Sequence, residues 1–257
     1  MISRYRISLG GVQLDSLDDN LRILDIGYPS ANYITNQNTV ANADGYELTD
    51  ERLEKTTVTV TFELHIYDVA LRNEVCQKVR AWAKNGGTLI TNDRKGQRLQ
   101  DVKCELLPSI ESAKNWTDPI TMTFATTYNP HWQSVEEKSI ILTGKNPKGT
   151  LKMDGSVINT LVSVDVVANE NVTNFKIIVG TTNIELKGIS LSAGQNLVID
   201  YVKSRYLRIR VEGASVLGQL QPNSSDRLMA KSGINSAVNI SANGKVTATV
   251  RARGCWV

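Results

Sequence analysis

The sequence predicts a mainly β fold in two domains, an α+β first half with one helix and an all-β second half. Three observations predict it: short runs of two-residue alternation along most of the chain, one segment with a helical period, and a change of charge and pattern near residue 134. The 257 residues fall between one and two average domains of roughly 150 residues. Residues 1–134 hold 14 basic and 17 acidic side chains, net −3, whereas residues 135–257 hold 15 and 9, net +6. Charge patterning of this kind bears on partners rather than on fold.

The chain opens with a hairpin. Tyr5, Ile7 and Leu9 alternate with polar residues, Gly10-Gly11 supplies the positive φ angles of a two-residue turn, and Val12 and Leu14 resume the alternation. The clearest strand runs from Thr57 to Tyr67, with Val58, Val60, Phe62, Leu64 and Ile66 on one face and polar residues on the other. A helix follows over Val69–Lys84. Leu71, Val75, Val79 and Trp82 make its apolar stripe, Asp68 is a good N-cap, Gly86-Gly87 stops it, and Glu74 and Lys78 pair on its outer face. Thr88–Thr91, Arg98–Leu107 and Ile120–Thr127 read as further strands, separated by the turn-like Asn92-Asp93 and by Pro108 and Pro119. Between them and the opening hairpin, Ser30–Gly45 is polar, with asparagine at 32, 36, 38 and 42. It buries too little to form a core element and is expected as a long loop or a projecting arm.

Around Tyr128–Trp132 the pattern breaks, which places the domain boundary near residue 134. Eight short strand-like segments follow, Ile140–Thr143, Val162–Val167, Phe175–Val179, Asn183–Leu186, Asn196–Asp200, Tyr206–Val211, Ala237–Ile240 and Lys245–Arg251, punctuated by Gly and Asn as in a β-sandwich. No stretch approaches the roughly 18 consecutive apolar residues of a bilayer span, and the opening residues lead into alternation rather than an apolar signal segment. A soluble protein made in a cytoplasm, with no membrane partner, is expected.

The residues for chemistry are scarce. Of two histidines, His65 sits on the polar strand face beside Glu63 and His131 beside Trp132 in the linker; each reads as structural or exposed rather than as a base. The cysteines Cys76, Cys104 and Cys255 are scattered, which excludes a CxxC knuckle. Cys76 and Cys104 read as core residues, and Cys255 as core or a surface thiol. There is no GxSxG, HExxH, P-loop or GxGxxG. Asp15, Asp18, Asp19 and Asp25 crowd one region, where a solvated turn is a simpler reading than a calcium site or an acid pair. No catalytic, cofactor or metal residue is therefore assigned, and an enzyme is not expected. In the second half Arg208, Arg210, Lys245 and Arg251 lie opposite apolar neighbours and make a basic outer face. With Phe175, Tyr201, Tyr206 and Trp256 as its aromatics, this half offers little for stacking bases or sugars.

The order of these elements resembles a known family. Leu9-Gly10-Gly11-Val12, the strand Leu21–Gly27, the polar arm, the run Glu54–Phe62, the single helix, the Thr88–Asp93 strand and turn and the strand Ile120–Ala125 are similar to the N-terminal domain of siphophage distal tail proteins, the Dit family. Ser225-Asp-Arg-Leu228, Ser232-Gly-Ile-Asn235 and Lys245–Arg253 look like the closing hairpins of the family's second domain, where a Gly-x-Asn turn recurs, although proline near that domain's start is reduced to Pro147. The resemblance implies a tail-tube-like β-sandwich with one helix over residues 1–134, which forms a ring, and a galectin-like or carbohydrate-module-like sandwich over 135–257. It further implies a virion protein, assembled in the host cytoplasm. Its homohexamer would surround the DNA channel at the distal end of the tail and join the tail tube to the tail tip or baseplate and the receptor-binding machinery. The arm matches an extension that wraps a neighbouring subunit. DNA would pass without specific binding, and the net acidic first half agrees with a wall that does not grip phosphate. The alternative is a carbohydrate-binding module for host-surface adhesion; a carboxylate-pair hydrolase comes third.

Overall fold

A computed structural model of the chain describes residues 4–30, 33–39, 46–109, 118–153 and 155–256. It divides into two compact units, residues 1–132 and 133–256. The first contains β1 (Ile7–Leu9), β2 (Val12–Gln13), β3 (Leu21–Gly27), β4 (Tyr33–Thr39), β5 (Tyr46–Leu53), β6 (Thr57–Leu64), α1 (Val69–Asn85), β7 (Gly87–Thr91), β8 (Gln97–Leu106) and β9 (Ile120–Thr126). A short β10 (Trp132–Ser134) spans the boundary. The second contains β11 (Lys138–Gly144), β12 (Lys148–Lys152), β13 (Thr160–Ala168), β14 (Val172–Val179), β15 (Thr182–Leu191), β16 (Asn196–Val202), β17 (Tyr206–Val211), β18 (Ala214–Ser215), β19 (Met229–Ala230), β20 (Asn235–Ala242), β21 (Val246–Ala252) and β22 (Cys255–Trp256). The fold is mainly β, with α1 the one α-helix among the described residues.

In the first unit the antiparallel path runs β2-β1-β7-β8-β9-β6-β3. The 3-10 turn Leu14–Ser16 touches both β1 and β3, so the sheet curls far enough for one turn to bridge the strand next to one end and the strand at the other. Strict alternation on β6 places Val58, Val60, Phe62 and Leu64 inside, each burial contributing about 1.5–3 kcal/mol. Helix α1 starts where Asp68 accepts hydrogen bonds from the Ala70 and Leu71 amides. It ends at Gly86, whose φ of 63° suits glycine and whose added Cβ would meet the Val102 carbonyl at 2.6 Å. The Trp82 indole donates to the Val12 carbonyl at 3.0 Å and packs edge-on against Phe124 at 5.8 Å, which fixes the helix on the sheet.

The buried stripe of α1 differs from the expected one. It consists of Arg72, Val75, Cys76, Val79, Trp82 and Ala83, whereas Leu71 is 46% exposed. Spacings of four drift by about 40° per step around a helix, so Leu71 lies about 80° off the face centred on Val79. The polar arm also differs from a plain loop. Tyr33–Thr39 pairs antiparallel with Tyr46–Leu53, and the two strands form a sheet of their own. The second strand lies beyond the segment singled out for its polarity, and backbone pairing needs no apolar face, which is why composition concealed the hairpin. Residues 31–32 and 40–45 of the expected arm lie outside the described residues.

The second unit is a β-sandwich. One sheet runs β11-β21-β13-β16-β17-β18, with β19 added to β13, and the other runs β12-β20-β14-β15. Val162, Val164 and Val166 of β13, Val246, Ala248 and Val250 of β21, Ile177 and Val179 of β14 and Val238 and Ile240 of β20 face one another in a single buried cluster.

Candidate assembly surface

The residues singled out for chemistry do not converge. His65 Nε2 bonds the Glu63 carboxylate two residues back on the same polar edge. His131 has its Nδ1 buried without a partner, and burial holds its pKa below the ordinary value. Cys76 and Cys255 are buried and Cys104 half-buried, and desolvation raises all three thiols, so none is an activated thiolate. Asp18 accepts from the backbone and side-chain nitrogens of Asn20, a local turn. Among the described residues no group of three His, Cys, Asp or Glu side chains is placed to hold a metal ion, and no helix is long and apolar enough to cross a membrane.

The basic outer face is neutralised strand by strand. Asp200 takes a bidentate pair from Arg208, with Nε at 2.7 Å, and a longer contact of 3.4 Å from Arg210. The Arg208 hydrogen bonds hold its carboxyl below the usual range. Arg251 pairs with Asp165, Lys245 lies 3.6 Å from Glu170, and Glu185 lies between Lys176 at 2.9 Å and Lys187 at 3.1 Å. A phosphate backbone would have to displace these carboxylates. Of the four aromatics of this unit, Phe175 is core, Trp256 is half-buried, and Tyr201 accepts from the Leu228 amide, with burial pushing its hydroxyl up to about 12. Tyr206 is the remaining ring, 67% exposed.

The first unit concentrates its long-range ties on one turn. Thr91, Asn92, Asp93 and Arg94 lie at the β7–β8 connection. Asn92 holds the N-terminal segment: its Oδ1 accepts from the Arg6 amide at 2.8 Å, its Nδ2 donates to the Arg4 carbonyl at 3.0 Å, and its own amide donates to the Arg6 carbonyl. Thr91 and Asp93 hold Tyr28, the residue after β3 and before the arm, with the phenol donating to Asp93 Oδ1 at 2.6 Å. Burial and the Asp93 bond raise the Tyr28 pKa, so the hydroxyl stays protonated as a donor. Arg94 lies over the rings of both Tyr28 and Trp132, 4.6 Å from each centroid.

The other foot of the arm is tied as well. Lys55 pairs with Glu105 at 2.7 Å, the Thr56 amide donates to Thr126 Oγ1, and the Thr56 hydroxyl donates to the Pro130 carbonyl. Gly27 and Thr59 are register partners, so the arm leaves and re-enters the sheet at adjacent strands. At this root Tyr33 and Ile34, the first residues of β4, are both exposed. Sequence reading marked Asn92-Asp93 as a turn and missed its role, because Tyr28, Arg94 and Trp132 are far apart in the chain and share no motif.

No family model matches the sequence, and no curated protein is similar to it at a significant level. Solved structures are similar in fold. The Dit protein of phage SPP1, described as a paradigm of the hub of the adsorption apparatus in phages infecting Gram-positive bacteria, has a TM-score of 0.76 at 12% identity, over 98% of this chain and 99% of that one. Two chains from the phage p2 baseplate in its activated conformation, with strontium and with calcium, have TM-scores of 0.48 and 0.46 at 9% and 10% identity, with 97% or more of each chain covered. Across both of its units, this chain is thus similar in fold to the distal tail hub protein of phage SPP1.

Proposed function

We propose that the chain is a structural subunit of a phage virion, a distal tail protein that forms a homohexameric ring at the end of the tail. In this reading the first unit forms the ring around the DNA channel, the tail tube docks on one side, and the tail tip or baseplate with the receptor-binding machinery docks on the other. The observation that carries it is the end-to-end fold likeness to the SPP1 hub protein. The clamped arm supports it, since a two-stranded sheet of its own has strand edges suited to pairing with a neighbour. The protein builds rather than reacts, and DNA passes without specific contacts. Assembly takes place in the host cytoplasm.

Mass photometry and negative-stain images of purified protein test this reading. Six-fold rings, alone or with the tail tube partner, are expected; a strict monomer at micromolar concentration even with tail partners would count decisively against it. The carbohydrate-binding reading has less support, because a single well-exposed ring, Tyr206, stands on the second unit among the described residues.

A further inference from the structure

The hairpin of β16 and β17 carries more positive charge than its own carboxylate can balance. Residues 196–211 hold Lys203, Arg205, Arg208 and Arg210 against Asp200, net +3, half of the +6 of residues 135–257. Asp200 is already shared by Arg208 and Arg210, the second at 3.4 Å. Val202 and Tyr206 are register partners, 38% and 67% exposed, and form an apolar pair between the turn and the Asp200–Arg208 pair. The turn itself is strained. Lys203 and Ser204 have φ of 53° and 54°, the left-handed region that residues with a Cβ avoid, whereas the β14–β15 and β15–β16 turns place Gly180 and Gly194 there. Strain kept at side chains where glycine would relieve it is a mark of binding and switch segments.

We propose that this hairpin receives the β4–β5 arm of a neighbouring copy in the ring. The occupant follows from charge and from exposed apolar groups. In sequence, β4 and β5 hold Glu47, Asp50 and Glu51 against Arg52, net −2, and Tyr33 and Ile34 at the start of β4 are 50% and 37% exposed. An acidic two-stranded sheet with exposed apolar groups thus meets a basic hairpin with an apolar centre. The charges select the partner, and the apolar groups exclude water. A phosphate polymer would use the cations and leave Val202 and Tyr206 idle, so a protein partner is favoured. That the arm belongs to another copy rests on the ring reading above.

A charge swap tests it in the full chain. Lys203→Glu with Arg205→Glu turns the hairpin's +3 into −1, and Asp50→Lys with Glu51→Lys turns the arm strands' −2 into +2. Each pair alone should weaken ring formation on the order of 10-fold or more across a concentration series in mass photometry at low salt, and the two pairs together should restore it. Restoration requires direct contact, because neither reversal repairs an unrelated defect in the other. Lys203→Gly removes one turn cation and relieves its φ, so it should keep or raise the thermal midpoint while weakening assembly. Wild-type assembly by the hairpin reversal, or a combined variant no better than the worse pair, would overturn the contact and leave the ring reading intact. A hairpin reversal that fails to fold, together with a lowered midpoint in Lys203→Gly, would assign the turn to its own chain and overturn the contact too. A wild-type protein that never assembles would overturn both readings together.

Discussion

The guanidinium of Arg94 lies 4.6 Å over the indole of Trp132, the last residue of the first unit. The same group covers the ring of Tyr28, whose hydroxyl reaches the neighbouring Asp93. One turn therefore holds the foot of the arm and the end of the unit. Tyr28→Phe keeps the ring and its packing but removes the phenol donor from the Asp93 carboxylate, which keeps the Arg94 amide at 3.1 Å. A loss of about 1–2 kcal/mol in urea denaturation is expected, and an unchanged midpoint would remove the hydroxyl from the clamp.

Excision of the arm follows from the register of its root. Because Gly27 and Thr59 are paired neighbours, residues 30–53 can be replaced by a short turn without straining β3 or β6. The shortened protein should melt within a few degrees of the wild type and form rings poorly. Removing only residues 30–45 would strand β5 without its partner, so that deletion should aggregate. Intact rings after full excision would exclude the arm from assembly.

The two ends of α1 should differ in sensitivity. Asp68→Ala removes a cap that accepts two amides, with an expected loss of about 1 kcal/mol. Gly86→Ala places a Cβ against backbone, 2.6 Å from the Val102 carbonyl, at a φ of 63°, and should destabilise by more than that. Thermal melts followed at 222 nm give the order directly; a larger effect at Asp68 would contradict the clash.

Asp200 serves two arginines, and Asp200→Asn leaves both short of a counter-charge. The expected loss is about 1 kcal/mol, kept small because Arg208 faces water. The folded carboxyl has a depressed pKa, so its contribution is present above the ordinary value near 4 and is lost as pH falls through the folded value. The variant should therefore lose less stability than the wild type on acidification below about pH 4, and parallel acid profiles would refute the pairing.

His131 acts at a higher pH. Its buried, unpartnered Nδ1 favours the neutral ring, so the folded pKa lies below the unfolded value near 6.5. Protons then bind the unfolded chain first, and stability, complete above that value, declines as pH falls below it. Comparing melting midpoints at pH 8 and pH 5 for wild type and His131→Gln checks this. The substitution should flatten the decline, and an identical slope would show that other groups cause it.

Much of the fold is legible in the sequence because alternation and helical period are local. Val58 to Leu64, the Asp68 cap and the Gly86 stop are read correctly because a strand face and a helix end depend on residues a few positions apart. Leu71 is misplaced because a spacing of four is a coarse stand-in for a 3.6-residue turn. The arm is recognised as a segment apart but not as a hairpin, since backbone pairing by itself needs no apolar pattern.

The sequence by itself determined the mainly β class, the single helix, the division of charge between the halves and the poverty of catalytic groups. Only the tertiary structure decided that Thr91–Arg94 ties together the N-terminal segment, the arm's foot and Trp132, and that Arg208, Arg210 and Arg251 of the second unit are already paired with carboxylates. The ties of the turn and the Arg251–Asp165 pair join residues that are far apart in the chain. They depend on which strands become neighbours, and that is set by the packing of the whole sheet rather than by any local run of the chain.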